Sequence, residues 1–162
     1  MPGRAGTFGA RCALLCTLAA WACVQASASA QPAQPASTVL LSIVGTTDLH
    51  GRVFSTNGRG GLALLGGYLR NLRAARAKDG GAVLLLDAGD TFQGGIESNL
   101  SEGALVIDAY NALGYHALAV GNHDFEYGAA DGASGPAATD MRGALKAAAA
   151  RARFPFLAAN VI

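Results

Sequence analysis

Short apolar runs and longer amphipathic segments alternate along most of this chain. Four apolar runs have the length of buried strands and lie at residues 38–44, 82–87, 116–120 and 156–160. Between them lie two segments with apolar residues every three or four positions and one segment rich in alanine, at residues 62–78, 101–113 and 140–153. The order βαβαβαβ predicts an α/β fold in which right-handed crossovers join the strands of a parallel sheet.

The pattern within these segments predicts which side chains are buried. The first strand is apolar almost throughout, which is typical of a strand with both faces covered. The inner face of the first helix is expected to consist of Leu62, Leu65, Leu69 and Leu72. The second helix, which we expect Ser101 to cap, should bury Leu105, Ala109 and Leu113. Residues 129–138 are small and without periodicity, which predicts a mobile loop.

The first thirty residues have the three parts of a secretory leader. Arg4 and Arg11 give a positive start, residues 12–24 are apolar, and small residues precede Gln31. The apolar part is too short for a stable membrane span. We therefore predict a signal peptide at residues 1–30, a flexible tether at 31–37 and one domain at 38–162. The protein is expected to be periplasmic or secreted.

Cysteine and charge change once the leader is removed. All three cysteines lie in it, so the mature chain has no thiol for a disulfide or for catalysis. Loss of Arg4 and Arg11 from the 12 basic residues leaves ten against 11 acidic residues, a net charge of −1. This balance gives no basic excess that would attract nucleic acid.

Polar clusters follow three of the predicted strands. Asp48 and His50 come after the first strand, Asp90 after the second, and Asn122 and His123 after the third. Because the carboxyl ends of parallel strands lie side by side, these clusters should meet in space. Carboxylate, imidazole and amide oxygen are all ligands of divalent metals. The sequence therefore predicts a metal site at this edge of the sheet.

The sequences around the three clusters resemble those of a known protein family. The segments TTDLHGR, LLDAGDTFQGG and GNHDFEYG together resemble the signature set of the calcineurin-like metallophosphoesterases. They look most like the secreted 5′-nucleotidase and 2′,3′-cyclic-nucleotide phosphodiesterase branch, from residue 39 to the end of the chain. The resemblance implies metal-dependent hydrolysis of a phosphoester with two divalent ions, such as Zn²⁺ or Mn²⁺, and nucleotides as small-molecule substrates.

The resemblance also assigns roles to individual residues. It implies four metal ligands, Asp48, His50, Asp90 and Asn122, with Asp90 bridging both ions. It implies that His123 is catalytic, contacts the phosphoryl group and stabilises charge on the leaving oxygen. A carboxylate three positions later, Glu126, would orient this histidine.

One departure from the branch concerns the two acidic residues around Phe125. The branch usually reads Asn-His-Glu-Phe-Asp, whereas this chain has Asp124 before the phenylalanine and Glu126 after it. The charges are kept and the side-chain lengths are exchanged. Other polar residues near the clusters are expected to support the ligands or line the substrate path, and these are Asp87, Gln93 and Asp124.

The resemblance implies further ligands that this sequence does not supply. Family members complete their metal pair with later histidines, and in this branch a second, C-terminal domain binds the base. His123 is the last histidine of this sequence. We therefore expect the chain to be the N-terminal portion of a larger enzyme, without activity at this length. The alternatives are an exported metallohydrolase acting on a sugar nucleotide or a sulfur ester, and a non-catalytic metal-binding remnant.

The leader generates a prediction about the mature protein. Cleavage after Ala30 should give exported material whose N-terminus lies near Gln31. N-terminal sequencing of the exported protein measures this directly. Exported material that begins at Met1 would contradict the predicted signal peptide.

Overall fold

The computed structural model describes residues 38–130 and 140–159. The predicted signal peptide, the tether and residues 131–138 of the predicted loop lie outside these ranges. The described strands are β1 (Leu41–Thr46), β2 (Ala82–Asp87), β3 (Ala117–Ala119) and β4 (Phe156–Leu157). All pair in parallel, in the order β1-β2-β3-β4. The predicted α/β fold with a parallel sheet is confirmed.

The helices of the described ranges lie between these strands. They are α1 (Leu62–Lys78), α2 (Ile96–Asn99), α3 (Ala104–Leu113) and α4 (Gly143–Arg151), and a 3₁₀ turn spans His123–Phe125. None of the helices in this part of the chain is long and apolar enough to cross a membrane. Because the helices connect parallel strands, the carboxyl ends of successive strands lie at one edge of the sheet.

The helices cover one face of this sheet. Val44, Leu85 and Leu118 lie on that face, in one core cluster with residues of α1, α3 and α4. Because the strand order follows the chain order, crossovers of one hand place successive helices on the same side. The opposite face is open in the described residues, where Ile43 is 65% exposed and Leu157 52% exposed.

The prediction that the first strand is covered on both faces is wrong. Exposed and half-buried residues alternate along β1, and Leu41 is 52% exposed. The reason is that, among the described residues, helices pack against only one face of the sheet. The strand also begins at Leu41 rather than at residue 38.

The first helix agrees with its prediction. The bounds of α1 are those predicted, Leu62 and Leu69 are buried, and Leu65 packs against the core. The last turn ends in a glycine-assisted cap, where the Gly81 amide donates to the Arg76 carbonyl at 2.9 Å. The periodicity of leucine was a sufficient signal here because this helix has one clear apolar stripe.

The second predicted helix, at residues 101–113, corresponds to α3, which begins three residues later, and the short α2 before it was not predicted. Gly103 separates them in a left-handed conformation (φ 83°), and the Ser101 hydroxyl accepts a hydrogen bond from the Leu105 amide at 3.2 Å. Ser101 therefore does satisfy a helix amide, although it is not the first residue before the helix. The prediction that Leu105 is buried is wrong, since it is 38% exposed. The buried face of α3 consists of Val106, Ile107 and Tyr110.

The one-sided packing generates a prediction about stability. Leu85 is fully buried, so Leu85→Ala should lower the free energy of unfolding by about 2–5 kcal/mol. The matched change Ile43→Ala, on the open face of the neighbouring strand, should cost about 0.5 kcal/mol or less. Urea denaturation of both variants measures the difference. Equal losses would show that the second face is also covered in the folded protein.

Candidate metal centre

The pairing of β1 with β2 continues past the ends of both strands. Backbone amides of Asp48 and His50 donate to the carbonyls of Gly89 and Asp90, each at 3.0 Å. The Gly51 amide then donates to the Thr91 carbonyl at 2.9 Å. The two predicted ligand segments are therefore held in register with each other by main-chain hydrogen bonds.

The third segment is joined to the second through Asp90. Its Oδ1 accepts a hydrogen bond from the His123 amide at 3.0 Å. Two glycines allow this close approach: a Cβ on Gly89 would lie 2.7 Å from the Gly121 nitrogen, and a Cβ on Gly121 would collide with the Asp90 carboxylate. Only residues without a side chain fit at this junction.

Three predicted ligands have strained backbone conformations. Asp48, His50 and Asp90 have φ angles of 53°, 48° and 53°, in the left-handed region. Such conformations cost free energy and persist where the surrounding structure enforces them. Here the enforcing contacts are the main-chain bonds between the strand-end segments. The clustering of strained residues at one sheet edge is typical of a functional site.

Three side chains converge closely enough to share one ion. Donor atoms of His50, Asp90 and His123 lie within 4.8 Å of one another. The two imidazole rings meet edge to face, with their centroids 4.9 Å apart. The Nδ1 of His50 lies 3.0 Å from the Gln93 carbonyl oxygen. When Nδ1 carries the proton and donates it there, Nε2 is left free to bind a metal.

Asp48 and Asn122 lie at the rim of this group. The Asp48 carboxylate is 60% exposed, with Oδ1 3.9 Å from His50 Nε2. Its other oxygen accepts a hydrogen bond from the Thr47 hydroxyl at 2.5 Å. Asn122 is exposed and directly precedes the 3₁₀ turn. Of the four predicted ligands, the structure brings His50 and Asp90 together and leaves the other two beside them.

Glu126 reaches the imidazole of His123 despite the exchanged side-chain lengths. The 3₁₀ turn puts the two residues on one side, with Glu126 Oε1 2.8 Å from His123 Nδ1. The approach is bent, so that Nδ1 has no partner in linear hydrogen-bond geometry. The adjacent Glu126 carboxylate raises the pKa of His123 above its ordinary value, against the opposing effect of desolvation. Proximity to a carboxylate therefore favours the imidazolium form.

Comparison with known proteins gives the family. The family model of the calcineurin-like phosphoesterases matches residues 41–157. This chain belongs to that family. The matched range includes all four described strands and all three strand-end segments with their clustered donors, so the family match and the geometry concern the same residues.

The relatives of this phosphoesterase chain include several nucleotidases. A snake venom 5′-nucleotidase of Gloydius brevicauda is 35% identical, over 91% of this chain and 23% of that protein. The human 5′-nucleotidase is 34% identical over 75% of this chain and 20% of that protein. Protein UshA of Salmonella pullorum is 35% identical over 81% and 22%. The chain thus spans about a fifth of the length of the curated relatives it matches.

Solved structures agree on the fold. The Haemophilus influenzae NAD nucleotidase NadN superposes with a TM-score of 0.59 at 26% identity, over 75% of this chain and 21% of that chain. The sulfate thiohydrolase SoxB of Thermus thermophilus gives a TM-score of 0.60 at 17% identity, over 77% and 30%. The second likeness concerns the fold alone.

The donor set of this phosphoesterase fits a divalent metal ion. Imidazole and carboxylate together are common ligands of zinc and are compatible with manganese. The Gln93 carbonyl supplies the outer contact that metal-ligating histidines ordinarily make. The family works with divalent metals, and this chain would hold one at the edge of the sheet where His50 and Asp90 converge, with the imidazole of His123 beside them.

Asp87 belongs to the helix-facing core behind the site. It is 4% exposed, and its carboxylate accepts hydrogen bonds from the hydroxyls of Tyr110 and Thr91, each at 2.8 Å, and from the Gly89 amide at 2.9 Å. Burial, together with the nearby Asp87 charge, raises the pKa of Tyr110, so its hydroxyl stays a donor. Asp87 therefore supports the site by bonding Gly89 and Thr91, the residues on either side of Asp90.

Asp124 is buried and makes contacts of a different kind. It is 1% exposed and accepts three backbone hydrogen bonds, from Thr91, Phe92 and Gly121. Burial raises the pKa of Asp124, and these amides oppose that shift because they favour the charged carboxylate. Asp124 is thus held beneath the surface by backbone amides of the second and third segments.

Sequence reasoning missed three features of this site. It did not anticipate that a ring nitrogen of His123 lies within 4.8 Å of donor atoms of His50 and Asp90, nor did it identify Thr91, which is fully buried and contacts all three segments. It also missed Tyr127, whose hydroxyl donates to the Phe92 carbonyl at 2.9 Å. Thr91 and Tyr127 lie within the GDT and FEYG segments, but the local sequence does not distinguish them from ordinary loop residues.

An open cleft lies beside the donor group, on the side of Asp48. Its volume is about 500 Å³, and its lining includes Asp48, Arg52, Gly60 and Leu65. Clefts of this size accommodate small molecules. Its basic side chain and its position next to a candidate ligand make it one approach to the site.

The glycine junction generates a prediction about metal binding. Gly121→Ala should push the third segment away from Asp90, and we expect the dissociation constant for Mn²⁺ to rise at least about tenfold. Gly45→Ala is the matched control, since a Cβ there meets nothing within 4 Å. Isothermal titration calorimetry measures both constants. Unchanged affinity in the Gly121 variant would mean that the junction does not set the ligand geometry.

Proposed function

We propose that this chain carries metal-binding and catalytic residues of a nucleotide phosphohydrolase of the 5′-nucleotidase type. The observation that supports this most directly is the convergence of His50, Asp90 and His123 within 4.8 Å, at the strand ends of a calcineurin-like phosphoesterase chain. Neither the family match nor the geometry alone would carry the proposal. The family match gives the class of reaction, and the geometry gives the side chains that would take part in it.

Nucleotides are proposed as the substrates because of the relatives. The named activities of proteins at 34–35% identity are those of 5′-nucleotidases, and a structure at 26% identity is named as an NAD nucleotidase. The mature chain has no basic excess for a nucleic acid, whereas a small nucleotide can be held through its phosphate. The thiohydrolase shares the fold at 17% identity, which does not favour a sulfur ester.

The ligand assignment proposed here has one bridging residue. Asp48, His50 and Asp90 would hold the first ion, and Asp90 with Asn122 would contribute to the second. Divalent ions in such a site supply activation of water and neutralisation of charge on the phosphoryl oxygens. Among the described residues, donor atoms of His50, Asp90 and His123 converge, and the Asp48 carboxylate lies 3.9 Å from His50. We propose that the second ion, of zinc or manganese, needs donors from further protein, and that the chain alone is inactive.

His123 and Glu126 would act on the phosphoryl group. The imidazolium of His123 can donate a hydrogen bond to a phosphoryl or leaving oxygen as negative charge develops there. Glu126, 2.8 Å from Nδ1, would keep the ring oriented and its proton in place. Gln93 would hold His50 through its carbonyl, and the cleft beside Asp48 would admit the substrate.

The proposed setting of this reaction is outside the cytoplasm. Residues 1–30 are proposed as a signal peptide, residues 31–37 as a tether and residues 38–162 as part of the catalytic domain. A relative named as a snake venom protein is consistent with an exported enzyme. The proposed location is the periplasm or the cell exterior.

Asp90 provides the test of this proposal. In the protein that carries this chain, Asp90→Asn should lower kcat/KM for a nucleoside 5′-monophosphate at least about 100-fold, because a shared ligand is lost. Asp79→Asn, at the exposed end of α1, is the control and should leave activity unchanged. Steady-state kinetics with added Mn²⁺ measures both. An Asp90 variant as active as the control would refute the proposed metal site.

A further inference from the structure

Two carboxylates, those of Asp90 and Asp124, form hydrogen bonds between the second and third segments of the site. Asp90 Oδ1 accepts the amide of His123 at 3.0 Å. In the reverse direction, Asp124 Oδ1 accepts the amides of Thr91 at 2.7 Å and Phe92 at 3.1 Å. Each acidic side chain therefore reaches the main chain of the other segment, across 33 positions of sequence.

Asp124 also organises its own segment. Its Oδ2 accepts the Gly121 amide at 2.9 Å, which closes the turn that contains Asn122 and His123. One carboxylate thus fixes the turn internally and ties it to the segment of Asp90. Its three amide donors belong to residues adjacent or nearly adjacent to the candidate ligands.

The surroundings of Asp124 exclude a direct contact with substrate. The residue is 1% exposed, and both carboxylate oxygens are occupied by backbone amides. Hydrogen bonds from amides to a buried carboxylate are charge-assisted, short and strong, and their loss leaves buried donors without partners. Such a residue can act on the chemistry only through the groups that it holds.

We propose that Asp124 is a positioning residue that sets the segment of Asp90 against the segment of Asn122 and His123 before any metal binds. The inference rests on the proposed function, since it takes those residues as the site. Without Asp124, the described hydrogen bonds between the two segments would be reduced to those of the Asp90 carboxylate and the Tyr127 hydroxyl. With Asp124 in place, the two segments are held in their metal-binding arrangement before the ion arrives.

The first test is metal affinity in the full chain. Asp124→Asn keeps the size of the side chain but replaces one acceptor oxygen with a donor that opposes a backbone amide. Titration calorimetry with Mn²⁺ should show a dissociation constant about 10–100-fold higher than in the wild type. Asp90→Asn serves as the marker of the site, and Leu69→Ala, a buried residue of α1, serves as the control for lost stability.

The second test does not need a variant. In the metal-free wild-type protein, the amides of Thr91, Phe92 and Gly121 should already be protected from hydrogen exchange, and Mn²⁺ should add little protection. This measurement decides the question even if Asp124→Asn does not fold. Protection that develops only when Mn²⁺ is added would overturn the proposal, because the ion would then order the segments.

The outcomes separate this inference from the proposed function. If Asp90→Asn binds Mn²⁺ as the wild type does, the proposed site itself fails. If Asp90→Asn loses affinity and Asp124→Asn does not, the site stands and the positioning role is overturned. If Leu69→Ala loses as much affinity as Asp124→Asn, general instability explains the effect and the positioning role is again overturned.

Discussion

The candidate site depends on the contact between three main-chain segments at Thr91. The Thr91 carbonyl accepts from Gly51 of the first segment, its amide donates to Asp124 of the third, and its hydroxyl donates to Asp87 beneath. Thr91 is fully buried, and its amide, carbonyl and hydroxyl all have hydrogen-bond partners within the protein. This junction holds together the segments that carry His50, Asp90 and His123.

The sheet topology explains why these segments meet at all. Strands that follow one another in sequence are neighbours in the sheet, and each ends at the same edge. The first three strands deliver the three segments, and the helices on one face fix the strands from behind. The chemistry of the site is therefore a consequence of strand order, whereas its geometry is a consequence of the hydrogen bonds between loops.

Sequence patterns were sufficient where one kind of residue recurs at a fixed interval. The leucines of α1 and the apolar run of β2 predicted those elements with their observed bounds. The patterns did not predict burial where it depends on which other elements pack against a residue, as for Leu41 on β1 and Leu105 on α3. The carboxyl-end positions of the candidate ligands could be predicted from strand ends. The buried contacts of Asp124 could not, because they join residues 33 positions apart.

The left-handed backbone at Asp48, His50 and Asp90 restricts what evolution can place there. Among residues with a side chain, aspartate, asparagine and histidine adopt this conformation most readily, and β-branched or bulky residues adopt it with difficulty. The same short alphabet contains the common oxygen and nitrogen ligands of divalent metals. At these positions, selection for folding and selection for metal binding therefore favour the same amino acids. A change of function that abandoned the metal could leave the motif letters largely intact.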